Sequence, residues 1–282
     1  MDAGALSGTR VVALVTNVPG PVAASRLRAM GADVVKIEPA QGDPLAAAAP
    51  EWYAALHRDV RVQKLKLRDE PDRVLLRELI AEADVLLTAT RASALERARL
   101  QWRDLHERHP SLVHVAVVGE AAQHADRAGH DLTYQARAGL LSPPSMPRTL
   151  VADMAAAAHT VSATLAALVA RSRDGAGRYV EVSIVDAART MAEPLRYGLT
   201  TLTGPLGGAL PAYRVYPAAE GWVAVAALEA HFLERLRELL NVDRLDETSI
   251  AMALATRSAA AWEELANASD VPLAAVATQA MA

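Results

Sequence analysis

Two short β-branched runs flanking one stretch of helix length restrict this chain more than anything else in it. Thr9-Arg-Val-Val-Ala-Leu-Val15 is apolar enough for a buried strand. Asn17-Val-Pro-Gly-Pro21 reads as a turn, with Pro21 allowed in a first helical turn. Residues Val22 to Met30 then read as a helix closed by Gly31 at the position after its cap. Asp33-Val-Val-Lys-Ile37 is a second strand, ending at Glu38-Pro39. A strand–helix–strand unit of this length crosses over right-handed, so the two strands must be parallel. The alternation continues. Strands are predicted at 60–67, 84–88, 112–118 and 179–184, and helices at 72–83 and 95–108. An α/β fold follows, with an open, mostly parallel sheet and helices on both faces. Glu38 falls where a ribose-binding acid would stand in a dinucleotide site. The G-x-G-x-x-G fingerprint is absent, so no such site is expected.

The texture changes near residue 208. Tyr213 to Val215 and Trp222 to Ala226 read as a hairpin around Ala219-Glu-Gly221. A helix over 230–240, two more helices and a short strand at 273–276 complete a small α+β domain. The expected division is a large domain over 1–190, a linker over 191–207 and the small domain over 208–282. The net charge of −4, without a basic run, gives no footprint for nucleic acid. The absence of Cys excludes disulfides, zinc-thiolate sites and thiol nucleophiles. The start at Met1 lacks the pattern of a signal peptide, so a cytoplasmic location is expected.

Residues 154–170 are nearly all apolar or small and predict a helix buried on all sides. Alanine dominates it, and it carries Asp153 and His159. It is therefore read as a core helix rather than a membrane span. Asp153 at its first turn suits an N-cap. A partly desolvated carboxylate there also has a tunable proton affinity, and neighbouring N–H groups are placed to hold an anion. Upstream, Gly129-His130 stands at a second loop-to-helix junction. A lone His is more often an ordinary hydrogen-bonded residue. Two titratable groups, each at a helix entrance, favour a chemical pair.

Six segments in register then resemble one family. They are Gly31-Ala-Asp-Val-Val-Lys-Ile-Glu38, Glu82-Ala-Asp-Val-Leu86, Gly129-His-Asp-Leu-Thr-Tyr134, Leu150-Val-Ala-Asp153, the Gly175–Ser183 run with Asp186, and Val225-Ala-Ala-Leu-Glu-Ala-His-Phe232. Together they resemble the class III CoA-transferases, a superfamily that includes α-methylacyl-CoA racemase. The resemblance implies a Rossmann-like large domain, a small domain and an interlocked homodimer. It implies an acyl thioester substrate, with CoA as part of that substrate, no tightly bound cofactor, and neither a nucleic acid nor a membrane as partner. By resemblance His130 and Asp153 are catalytic, Glu229 supports His130, and Lys36, Arg61, Lys66, Arg91 and Asp131 are expected to contact CoA. No metal site is expected.

In the transferase branch the Asp attacks the acyl-CoA. In the racemase branch the Asp and the His of Gly-His-Asp exchange a proton at the α-carbon, and His130 favours that branch. Such 1,1-proton transfer needs two groups of comparable proton affinity on either side of an enolate. The N–H groups after Asp153 are the expected donors to the enolate oxygen. Three readings stay open: an acyl-thioester epimerase, a CoA-transferase working through a covalent Asp153, and a non-catalytic relative. The chain departs from the family at Arg91-Ala-Ser93, at Gly119 to Ala125 and at His57 to Arg61, and its loop between His130 and Asp153 is shorter than in the racemases. Family members also continue past the position of Val276 and return to the large domain, so either an unlinked dimer or an open groove is expected.

Overall fold

The computed structural model describes residues 4–90, 92–121, 124 and 127–277. The chain divides into two compact units, Met1–Ala192 and Glu193–Ala282. In chain order the first unit contains β1 (Arg10–Leu14), α1 (Pro19–Ala29), β2 (Asp33–Pro39), α2 (Leu45–Ala48), α3 (Pro50–Leu56), β3 (Arg61–Leu65), α4 (Glu70–Ala81) and β4 (Val85–Thr88). It continues with α5 (Ala92–Arg97), α6 (Trp102–Arg108), β5 (Val113–Val118), α7 (Asp131–Ala138), α8 (Val151–Asp174), β6 (Tyr179–Ser183) and α9 (Ile184–Met191).

Six parallel strands form its sheet in the order β3-β2-β1-β4-β5-β6. Alternate residues face opposite layers. Val11, Ala13, Val85, Leu87, Val113 and Val115 pack with Leu27 of α1 and the alanines of α8. Val12, Leu14, Val35 and Leu86 pack with Leu76 and Ile80 of α4 and Leu105 of α6. Burial on both faces explains the unbroken apolar runs of the central strands.

Two expectations are corrected. Residues 95–108 do not form one helix. Arg99 adopts a φ of 56°, Leu100 turns inward, and α6 restarts after an extended Gln101. Nor is α8 buried on all sides. Ala152, Ala156, Ala157 and Thr160 are fully covered, whereas Ser162, Ala166 and Val169 form an exposed stripe. Small side chains make a helix apolar around its whole circumference without stating which side is covered. Among the described residues α8 is the one helix long and apolar enough to cross a membrane, and here it packs against α1, α9, β5 and β6.

His114 sits in mid-β5 with 1% exposure, its Nε2 3.0 Å from the Thr88 hydroxyl and its ring edge-on to Tyr179. Its Nδ1 finds no partner among the described residues. Burial pushes its pKa down from 6.5 to about 4. The unfolded chain therefore takes up this proton first. The stabilisation is complete above pH 6.5 and drains away as pH falls to about 4, a loss of about 3 kcal/mol from this residue. Urea unfolding at pH 7 and pH 4 checks it. His114→Gln is expected to flatten that slope.

The second unit opens with α10 (Glu193–Arg196) and a tight turn at Pro205–Ala209. β7 (Tyr213–Pro217), β8 (Trp222–Ala226) and β9 (Leu273–Ala275) form an antiparallel sheet in that order. Helices α11 (Ala230–Leu240), α12 (Glu247–Leu254) and α13 (Ala259–Ala268) supply Leu236, Leu240, Ile250, Leu254 and Trp262 to its core.

Candidate active site

In an open parallel sheet, ligands lie beyond the carboxyl ends of the strands where the strand order reverses. Here that point is between β1 and β4. A cavity of about 270 Å³ opens there. It is lined by Thr16 and Asn17 after β1, Ala89 and Thr90 after β4, the end of β5, and by Arg127, His130, Tyr134 and Asp153. His130 and Asp153 thus share one cavity. Neither is fixed by its strand; each is carried by a helix start.

His130 is the N-cap of α7, with extended backbone. Its N–H donates to the Thr133 hydroxyl at 3.0 Å, and the residue is exposed. Asp153 is not the cap of α8. Leu150 holds that position, and Asp153 is the third helical residue. The capping carboxylate is Asp131. Its Oδ1 accepts from the Asp153 N–H at 3.0 Å, and its Oδ2 accepts from Gln135 Nε2 at 2.6 Å. Gln135 also donates to the Thr149 carbonyl at 3.1 Å. Asp131 and Gln135 are both buried, so this clamp is shielded from water.

The expected donor role of the N–H groups after Asp153 is overturned by the same geometry. The Met154 N–H already donates to Leu150 at 3.0 Å, and those beyond it lie inside α8. Thr16, Asn17, Thr90 and Arg127 are among the lining residues that bring donors instead.

Burial, with the nearby Asp131 carboxylate as a second cause, lifts the Asp153 pKa from 3.8 to about 7. A carboxylate in that range gives and takes protons at neutral pH. Asp131→Asn keeps an oxygen to accept the Asp153 N–H but removes the charge. It is expected to move the Asp153 titration part of the way back toward 3.8, seen as an acid-ward shift of that carboxyl by NMR.

The remaining expected residues are spread more widely. Lys66 lines a larger neighbouring hollow, about 600 Å³, beyond the ends of β1, β2 and β3, together with Gln41, Arg68 and Asp69. Thr16 and Thr90 line both hollows. Arg61 begins β3 and lines a separate hollow at the opposite end of the sheet with Arg10, Asp33 and Glu82, so it does not face Lys66. Lys36 is fully buried, with its ammonium held by Glu38, Asp43 and His57. Asp131 is engaged in the clamp rather than open to a ligand. Arg91 lies outside the described residues. Glu229 belongs to the second unit, where it is the exposed N-cap of α11.

The sequence reading missed Tyr134, Gln135, Asn17 and Arg127. The Asp131–Gln135 spacing, one helical turn, was the available signal for the clamp. Tyr134 is wedged against two glycines. A methyl group on Gly119 would meet its hydroxyl at 2.3 Å, and one on Gly129 would meet its ring at 2.6 Å.

The model of CoA-transferase family III matches residues 6–282, and the chain belongs to that family. Succinate–glutarate CoA-transferase of Agrobacterium fabrum is 29% identical over 266 residues, covering 84% of this chain and 66% of its own length. Human α-methylacyl-CoA racemase is 29% identical over 268 residues, covering 89% of this chain and 68% of its own. The chain thus spans about two thirds of the length of these relatives. The crystal structure of Rv3272 from Mycobacterium tuberculosis superposes with a TM-score of 0.83 at 26% identity, over 98% of this chain and 83% of that one.

Proposed function

We propose that this chain is an isomerase that moves a proton at the α-carbon of an acyl thioester. The observation that carries the reading is the meeting of His130 and Asp153 in one cavity at the switch point of the sheet. The near-neutral proton affinity of Asp153 supports it. In the forward direction the Asp153 carboxylate takes the α-proton, and the C–H electron pair passes into the enolate. The His130 imidazolium then returns a proton to the opposite face. The reverse direction exchanges the two roles. Lys66 and Arg68, which line the neighbouring hollow beside Glu38 and Asp69, are the side chains placed to meet the phosphates of a CoA carrier. In the same reading two copies of the chain make the working enzyme.

Incubation of a 2-methylacyl-CoA with the protein in deuterium oxide is expected to place one deuterium at the α-carbon of each turned-over molecule. A bound thioester that gains none would overturn the reading. The names of relatives such as succinate–glutarate CoA-transferase favour a second one, in which Asp153 attacks the thioester carbonyl and CoA leaves as thiolate. An acyl mass adduct on Asp153, released by hydroxylamine, would assign it.

A further inference from the structure

The ammonium of Lys36 lies at the centre of a buried network. It donates to Glu38 Oε1 at 2.9 Å, to Asp43 Oδ2 at 2.5 Å and to His57 Nε2 at 2.8 Å. The tautomer of His57 follows from its partners. The Tyr53 carbonyl, 2.6 Å from Nδ1, only accepts, so Nδ1 carries the hydrogen and Nε2 offers its lone pair to Lys36. The Tyr53 hydroxyl donates to Glu38 at 2.7 Å. All three ammonium protons are therefore used, and both carboxylates face one cation.

The second oxygen of Asp43 points elsewhere. Its Oδ1 accepts the Asn17 N–H at 2.9 Å and the Leu45 N–H at 3.0 Å. Asn17 holds a φ of 66°, in the left-handed region that Asn tolerates better than other residues with a side chain and that marks a tight turn here. It is also exposed, and it lines the cavity of His130 and Asp153. The bond that the Asn17 backbone N–H makes leads from this exposed turn into the buried network.

We propose that Lys36 and Asp43 are positioning residues. Lys36 fixes Asp43, Asp43 fixes the Asn17 amide, and the β1–α1 loop thereby keeps the turn that shapes the wall of the reaction cavity. The kinetic half of the test rests on the acid–base reading of that cavity; the structural half does not. Amide hydrogen exchange of the unliganded wild type is expected to show Asn17 protected at least a hundredfold over a free loop amide. Free exchange at Asn17 would overturn the proposal without any variant. Asp43→Ala is expected to raise exchange at Asn17 at least tenfold and to lower kcat for α-deuterium incorporation at least tenfold, with KM changed less than threefold. Asp43→Asn, whose single amide oxygen cannot serve both the Asn17 N–H and the Lys36 ammonium, is expected to recover only part of both losses. Unchanged exchange and unchanged kcat in Asp43→Ala, or a loss in KM alone, would sink the proposal. If the wild type incorporates no deuterium, the acid–base reading falls, and the amide exchange still decides the positioning.

Discussion

Asp153→Asn is expected to lower α-proton exchange by about a hundred- to ten-thousand-fold, the span ordinarily lost with a positioned acid–base group. The substitution is isosteric and leaves the Asp153 N–H bond to Asp131 in place, so the loss belongs to the proton and not to the fold. Stability is expected to move the other way. The folded carboxyl titrates near 7 and the unfolded one near 3.8, so the native state holds the proton through that interval. Native stability therefore falls as pH rises from about 4 to about 7. Asn at this position removes that slope, and unfolding at pH 8 is expected to need at least as much urea as in the wild type. His130→Ala separates the two chemical readings. Isotope exchange is expected to fall by a comparable factor, whereas acyl transfer through a covalent Asp153 would survive the change. A low-activity Asp153→Asn protein that is also less stable at pH 8 would contradict the account of this carboxylate.

Lys36→Met is the second large effect. It leaves the Glu38 and Asp43 carboxylates buried without their cation, an arrangement that costs about 3–5 kcal/mol when one partner of a buried pair is removed. Chemical denaturation is expected to register that loss at neutral pH, and acid is expected to relieve part of it by protonating the stranded carboxylates. A variant as stable as the wild type at pH 7 would show that the two acids do not depend on the ammonium.

The sheet was readable because its central strands are covered on both sides and contain little but Val, Leu, Ile and Ala. Val11 to Leu14, Val85 to Leu87 and Val113 to Val117 follow that rule closely. His130 and Asp153 were readable as helix-entrance residues, since a change from loop residues to helical spacing marks each one. Lys36 was not. A lysine inside Val-Val-Lys-Ile looks like a ligand contact when only its charge is visible, and its burial partners, Asp43 and His57, lie 7 and 21 positions away. Arg61 was misplaced for a related reason. Strand residues a few positions apart reach opposite ends of a parallel sheet, and spacing alone does not mark which end bears the site. The clamp at Asp131 was not legible either, because one of its oxygens accepts from the Gln135 side chain and the other from a backbone N–H 22 residues downstream.

Asp131 accepts from the Asp153 N–H in the first turn of α8 and Gln135 donates to the Thr149 carbonyl just before it, so the two helices are tied directly as well as through the segment between them. The spacing of acid and base is then independent of how much polypeptide runs between them. Residues can be inserted or deleted around Pro143 and Pro144 while His130 and Asp153 travel as a single rigid piece. A short connection is as serviceable as a long one, and variation in its length leaves the reacting groups in register.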